Sequence, residues 1–334
     1  MNWQSLHIHY YASPDLLLAQ GVAPLVAGRR GDDLAHWFFI RYWKGGPHVR
    51  LRLLLDDATA ASTLNDVRAE IENYLARHPS TGQLPFAIED SLRMLAKLEA
   101  DDARSLEVMP DNTVLVHPYE PEYDRYGGRA GVALAESLFE ASSDVVLEAL
   151  KIISTAPARR LGISFAMMLA GLRGAGMSEE RMADFLVGYY RFWVRYLPDE
   201  IPAAWSIGLE EKQRSLLPYA TAVLSDNSPA GSSQVGEGLS RWRSAVSDAV
   251  NGLDRQAGDI LPAVSMPIKD ATPEQLRDFL LLNYLHTHNN RIGVTPGHEA
   301  YLAYLAHHAV CRLAGLSPKL ETRPAPGQSE HAVS

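Results

Sequence analysis

A single cysteine, Cys311, in 334 residues leaves the chain with neither an internal disulfide framework nor a cysteine-based zinc site. Nor is there a GxGxxG, a Walker loop, a GxSxG or an HExxH, so dinucleotide, nucleotide, hydrolase and zinc-protease chemistry lack their usual motifs. The cluster Gly171-Leu-Arg-Gly174-Ala-Gly176 is a helix ending rather than a phosphate cradle. No apolar run approaches a bilayer-spanning length, since stretches such as 51–55 and 279–282 are short. The opening Met1-Asn-Trp-Gln-Ser-Leu-His has no basic region followed by an apolar core, as a secretory signal requires. A formal charge of -9 argues against broad contact with a phosphate backbone. The expectation is a soluble, cytoplasmic chain with no membrane and no direct nucleic-acid partner.

What is present suits a packed core: 46% hydrophobic residues and 8% aromatics. Residues 6–12, 37–43 and 49–55 carry aromatic or β-branched composition, and the last alternates Val, Leu and Leu with Arg50 and Arg52, the period of a half-buried strand. Lys44-Gly45-Gly46-Pro47 makes the second and third of these an antiparallel hairpin. Residues 14–27 read as a helix with Ser13 as cap, 58–77 and 88–98 as two more, and 113–116 as a fourth strand. After Gly128 helices follow one another over 130–150, 160–175, 178–197, 209–224 and 239–256, with 226–238 as an exposed linker. Thr272-Pro273-Glu274-Gln275 opens a further helix that carries His286 and His288 at or near its end, and 296–313 is the last. The fold class expected is α+β, an N-terminal mixed or antiparallel sheet with a large helical portion. One domain is expected over 1–316, sheet-rich to 128 and helical beyond, with 317–334 as a disordered tail.

Four polar motifs stand out: His36-Trp-Phe-Phe-Ile-Arg41-Tyr42, His48-Val-Arg50-Leu-Arg52, Tyr119-Glu-Pro-Glu122-Tyr-Asp-Arg125-Tyr126-Gly127-Gly128, and His286-Thr-His288-Asn289-Asn290-Arg291. Arg50 and Arg52 share a strand face. Two surface arginines on a solvated sheet would look the same, but guanidinium is the fork that grips a carboxylate bidentately, and Glu122 with Arg125 supplies a second group of that type. An exposed Glu122–Arg125 pair would be worth under about 1 kcal/mol. Flanked by three tyrosines and buried, it would be preorganised for an anion. The alternation leaves Arg41 free to point to either face. Lone histidines are more often structural than catalytic. No other ligands at metal spacing accompany His286 and His288, so no metal is expected, and His288 is the candidate acid or base, with an unperturbed pKa near about 6.5. Asn290 and Arg291 are placed at the helix end, ordering the turn into Gly293.

Taken jointly, these motifs resemble the C-terminal glutamate-elimination domain of lantibiotic dehydratases, in the stand-alone form of thiopeptide-type bacteriocin gene clusters. The resemblance runs from the strand at 3–11 through His48-Val-Arg50-Leu-Arg52 and residues 119–128 to His288-Asn-Asn-Arg291-Ile-Gly293. In that family a partner glutamylates Ser and Thr of a ribosomal precursor peptide from glutamyl-tRNA, and the elimination domain expels glutamate to leave dehydroalanine or dehydrobutyrine. The resemblance implies that Arg52 and Arg125 engage the glutamyl group, that Glu122 is the acid beside them, and that His288 moves a proton as base or acid. Arg50, Arg41, Tyr126 and Asn290 would be substrate-binding. It implies no cofactor and no metal. The partners implied are the precursor peptide, with its leader and glutamylated core, and a glutamyl-tRNA-dependent glutamylation subunit; a homodimer is left open. The segment between Arg52 and Tyr119 is longer than the family pattern leads one to expect, which suits partner docking.

Two alternatives stand beside elimination. Stand-alone homologues of the same fold act as pyridine synthases, joining two dehydroalanines in a formal [4+2] cycloaddition and releasing the leader peptide; such an enzyme has no glutamyl ester to grip. The other is a non-catalytic subunit whose N-terminal sheet binds a leader peptide by strand addition.

Overall fold

The computed structural model describes residues 1–82, 108–225, 234–266 and 270–320. The helix expected over 88–98, the core of the linker expected at 226–238, and the tail from 321 onward lie outside the described residues. Within those described, the chain forms two compact units, 1–122 with 142–155 and 123–141 with 156–320.

The first unit is built on four strands: β1 (Asn2–His9), β2 (Leu34–Tyr42), β3 (His48–Leu55) and β4 (Thr113–His117). Their order is β2-β3-β1-β4 and every pairing is antiparallel, so the fold class expected from the sequence is the one observed. The β2–β3 connection turns at Gly45 and Gly46, whose φ values of 81° and 95° lie where a side chain is strained; Gly46 also abuts Tyr11. Period-2 alternation gives the sheet two unlike faces. Leu6, Ile8, Val49, Leu51, Leu53, Trp37 and Phe39 form an apolar face, all fully buried, each such side chain contributing about 1.5–3 kcal/mol by leaving water. The opposite face carries Ser5, His7, His9, His48, Arg50 and Arg52, set side by side by the register Ser5↔Arg52, His7↔Arg50 and His9↔His48.

Around this sheet stand α1 (Ala23–Ala27) and α2 (Ala60–Arg77). The single helix expected over 14–27 contains a π-helical stretch, Leu17–Val22, which the periodicity does not announce. There Gly21 lets the Tyr74 ring of α2 approach, and the Tyr74 hydroxyl donates to the Leu16 carbonyl at 3.1 Å. The outer edge of β2 is covered by residues 142–153, the last turns of α3 (Gly128–Ile153): the Phe39 N–H donates to Ser143 Oγ at 3.2 Å, and Arg30 pairs with Asp144 at 2.9 Å.

The second unit is helical: the first part of α3, then α4 (Arg160–Gly174), α5 (Glu179–Val194), α6 (Leu209–Leu224), α7 (Gln234–Arg255), α8 (Pro273–Ile292) and α9 (Pro296–Ala314). α4 packs against α6, α7, α8 and α9, and α9 lies along α5. Capping sets the helix starts where the sequence places them. Ser178 Oγ accepts from the Arg181 N–H, and Thr272 and Gln275 form a reciprocal capping box at the head of α8. α8 stops at Gly293, whose φ of 86° is a left-handed cap.

Candidate functional site

In the first unit the polar sheet face centres on Arg52. β3 delivers this side chain into a nearly closed environment, 6% exposed, where it donates to Ser5 Oγ and its guanidinium carbon stands 5.1 Å from the Tyr119 ring centre. Trp3 and Phe38 complete an aromatic wall with Tyr119, at ring separations of 5.5 and 6.0 Å. Burial, and then the neighbouring Arg50, push the Arg52 pKa down to about 10, against an upward pull from Tyr119, Glu122 and Glu120. The group stays charged at neutral pH. Among the described residues Ser5 is its one hydrogen-bond partner, and no carboxylate lies within ion-pair distance of it. Buried charges are ordinarily paired, so a guanidinium with five donors and one neutral acceptor has the chemistry to take an anion.

Arg50, two residues earlier on the same face, is clamped differently. Its guanidinium lies 3.4 Å over the Tyr42 ring, and its Nε donates to His48 Nε2 at 3.2 Å. That bond fixes the tautomer of His48: Nδ1 carries the proton and gives it to the Gly46 carbonyl at 2.8 Å. His7 stacks between His48 and His117 at 4.9 and 4.2 Å, and His9 packs on His48 at 4.6 Å. Burial, above all, lowers the pKa values of His7, His48 and His9 to about 2, 3 and 4. These three imidazoles are neutral at pH 7 and add nothing to the charge of the arginines. Glu122 is exposed, close enough to Arg52 to help hold its charge. Arg41 lies on the opposite face of the sheet, opposed to Val49, and is held by Asp15 at 2.7 Å.

In the second unit, residues 123–126 form one helical turn. Arg125 is exposed on it, whereas Tyr126 is 4% exposed, edge-on to Phe139 at 5.3 Å and stacked on Tyr284 at 6.0 Å. The sharp exit needs glycine: Gly127 has φ 82°, and a Cβ there would sit 2.6 Å from Ile260.

The two histidines of α8 have opposite surroundings. His288 is 1% exposed and lies flat on Trp242, ring centres 4.0 Å apart; burial, then Arg291, lower its pKa to about 3. His286 keeps a quarter of its side chain exposed and packs on Trp193 at 4.5 Å. Its Nδ1 is 2.8 Å from Glu299 Oε1, a carboxylate on α9 with no exposure at all. Glu299 Oε2 in turn accepts from the Tyr189 hydroxyl and, at 3.2 Å, from Asn289 Nδ2. Burial and the Glu299 charge hold the Tyr189 hydroxyl firmly protonated. The result is a partly exposed imidazole oriented by a buried carboxylate with three hydrogen-bond partners, the arrangement that equips a histidine for proton transfer. Glu299 and Tyr189 lie outside the motifs of the sequence, and Asn289 stands in one with no role assigned; an acidic residue in the first turn of a helix reads as an ordinary complement to the helix dipole. Asn290 is half-buried at the end of α8.

Among the described residues no group of three or more His, Cys, Asp or Glu side chains is arranged to hold a metal ion, and no helix is long and apolar enough to cross a membrane.

The model of the lantibiotic biosynthesis dehydratase C-terminal family matches residues 3–310. Among solved structures the chain is similar to TbtD, the pyridine synthase from thiomuracin biosynthesis, with a TM-score of 0.76 and 20% identity over 95% of this chain and 100% of that one. TsrL is similar at a TM-score of 0.64 and 18% identity, covering 94% and 95% of the two chains. So is the tRNA-dependent lantibiotic dehydratase MibB from Microbispora sp. 107891, at 0.62 and 18%, covering 94% of this chain and 28% of that one. At these identities the likeness is one of fold. A search of curated proteins finds no match by sequence.

Proposed function

The chain belongs to the lantibiotic biosynthesis dehydratase C-terminal family, and from that premise we propose that it eliminates glutamate from glutamylated Ser and Thr of a ribosomally made precursor peptide. The product is dehydroalanine or dehydrobutyrine. A separate glutamylation subunit using glutamyl-tRNA supplies the substrate, and the peptide's leader and glutamylated core are what this chain meets. The observation that carries the reading is Arg52, a buried guanidinium that forms no ion pair with a carboxylate among the described residues.

Elimination demands two services. A base removes the Cα proton, the C–H pair becomes the Cα=Cβ bond, and the Cβ–O bond breaks with its electrons passing to the departing glutamyl carboxylate. Arg52, with Arg50 as the second binding residue, supplies positive charge for that carboxylate, and because the charge is already desolvated it needs no reorganisation as negative charge develops. Glu122 steadies Arg52, and Arg125 joins the binding set on the strength of the motif at 119–128. Proton transfer falls to His286 in preference to His288, the imidazole expected from the sequence. His286 has an accessible edge, whereas the depressed pKa of His288 and its burial against Trp242 make it a poor proton acceptor.

Incubating the purified protein with a glutamylated precursor tests this: the peptide should lose the mass of glutamic acid, and Arg52→Ala or His286→Ala should leave it glutamylated. The likeness to TbtD over the whole of that chain favours a second reading, a pyridine synthase that closes a ring between two dehydroalanines and releases the leader. Under it a dehydrated linear peptide would be converted and a glutamylated one ignored.

A further inference from the structure

Glu299 is the one carboxylate of α9 and has no exposed surface, yet among the described residues it forms no ion pair with Lys or Arg. Three donors surround it instead. Tyr189 from α5 and Asn289 from α8 converge on Oε2, and His286 from α8 meets Oε1 at 2.8 Å. A further hydrogen bond, 3.3 Å from Asn289 Nδ2 to the Tyr189 hydroxyl, braces the two donors against one another. A carboxylate is acceptor-only, so the hydrogen between it and His286 must belong to the imidazole. With Nδ1 protonated, the neutral ring has its lone pair on Nε2.

We infer that Glu299 is the positioning residue of this enzyme: it holds His286 in the Nδ1–H tautomer, so that Nε2 is the basic atom, and Tyr189 and Asn289 exist to hold Glu299. The inference deepens the elimination reading and rests on it for the use to which Nε2 is put; the tautomer itself does not depend on that reading.

The surroundings predict what a near-isosteric change does. In Glu299→Gln the amide must present its oxygen to the Asn289 and Tyr189 donors, because its NH2 group would face the Asn289 NH2 head-on. The NH2 is then turned toward His286, which can answer only by accepting on Nδ1 and moving its proton to Nε2. The basic edge disappears while the shape of the pocket is kept. In the serine-protease triad, where an aspartate plays the corresponding part, such a tautomer reversal lowers turnover about 10⁴-fold.

The test reads the tautomer directly, by long-range proton–nitrogen correlation on the full chain labelled with 15N-histidine at roughly pH 9, above the usual imidazole range. The His286 signals are identified by their loss in His286→Gln. The expected result is a protonated Nδ1 and an unprotonated Nε2 in the wild type, reversed in Glu299→Gln, with Tyr189→Phe keeping the wild-type pattern. A protonated Nε2 in the wild type, which needs no variant to fold, or an unchanged tautomer in Glu299→Gln, overturns the inference. If the wild-type pattern and its reversal are found but no glutamate is released from glutamylated peptide, the positioning role stands and the elimination reading falls. If glutamate is released and Glu299→Gln slows release less than about 10-fold, the positioning role falls and elimination stands.

Discussion

Arg52 should weaken the fold that holds it, and removing it should therefore stabilise the protein while disabling it. Its pKa drops from the ordinary 12.5 to about 10, and at about 1.4 kcal/mol for each factor of ten in proton affinity the folded protein opposes this charge by about 3 kcal/mol. Arg52→Met keeps an unbranched apolar stem along the same path and deletes the charge. What is lost is the hydrogen bond to Ser5 and the ring contact with Tyr119, together about 1–2 kcal/mol. The balance is a variant about 1–2 kcal/mol more stable, with a thermal midpoint higher by about 2–4 °C. Glutamate release should meanwhile fall about 10²–10³-fold, the usual cost of removing one preorganised charge-stabilising donor. Calorimetry and mass spectrometry on the same preparation check both halves. A midpoint several degrees below the wild type would refute the reasoning: breaking a paired buried ion costs about 3–5 kcal/mol, so such a drop would mean that Arg52 already has its counter-charge.

Free glutamate, the product under the elimination reading, should raise the thermal midpoint of the wild type in a concentration-dependent way, by as much as about 2.7 kcal/mol of stability at 100 times its dissociation constant. Arg52→Met should abolish that rise, and a midpoint indifferent to glutamate in the wild type would count against an amino-acid carboxylate at Arg52. Acid should destabilise the fold early. His7, His48 and His288 have folded pKa values lowered to about 2, 3 and 3, so protons bind the unfolded chain first and stability is lost as pH falls below about 6.5; at pH 5.5 each such histidine costs about 1.4 kcal/mol. Urea unfolding at pH 7.5 and 5.5 measures the difference, and equal stabilities would show that these rings already carry protons in the fold. Gly127→Ala forces a side chain into φ 82° and against Ile260, and should cost roughly 3 kcal/mol or more by thermal denaturation.

Much of the fold was open to a reader of the sequence because the local signals are strong and agree with one another. Alternation in 49–55, the Lys44-Gly45-Gly46-Pro47 turn, and the caps at Ser178 and Thr272 each act within a few residues, and the sheet and the helix starts follow them. The π-helical stretch at Leu17–Val22 was not: the Tyr74 ring that it packs against arrives from another element. The same applies to the turn at 123–126. Its surroundings are set by Ile260 and by Tyr284, which lie more than 130 residues away in sequence.

The candidate site divides along a similar line. That Arg50 and Arg52 share a face follows from strand period alone, and the sheet register agrees; that Arg41 turns the other way to meet Asp15 needs a partner the alternation cannot supply. The histidines give the sharper case. His286 and His288 are two positions apart on a helix, about 200° around its axis, so one can face an open edge only if the other points nearly the opposite way. Sequence could state that opposition but could not choose the side, since polar residues occupy every side of α8 over 286–291 and its buried positions include 287, 288 and 289. The choice is made by side chains from elsewhere: Trp242 of α7 lies flat on one ring and excludes water from it, while Glu299 of α9 reaches the other and gives it a direction. A histidine is made ready for proton transfer by its neighbour's charge rather than by its own position, and here the neighbour is a buried carboxylate thirteen residues on, in the next helix, which nothing in the local pattern ties to it.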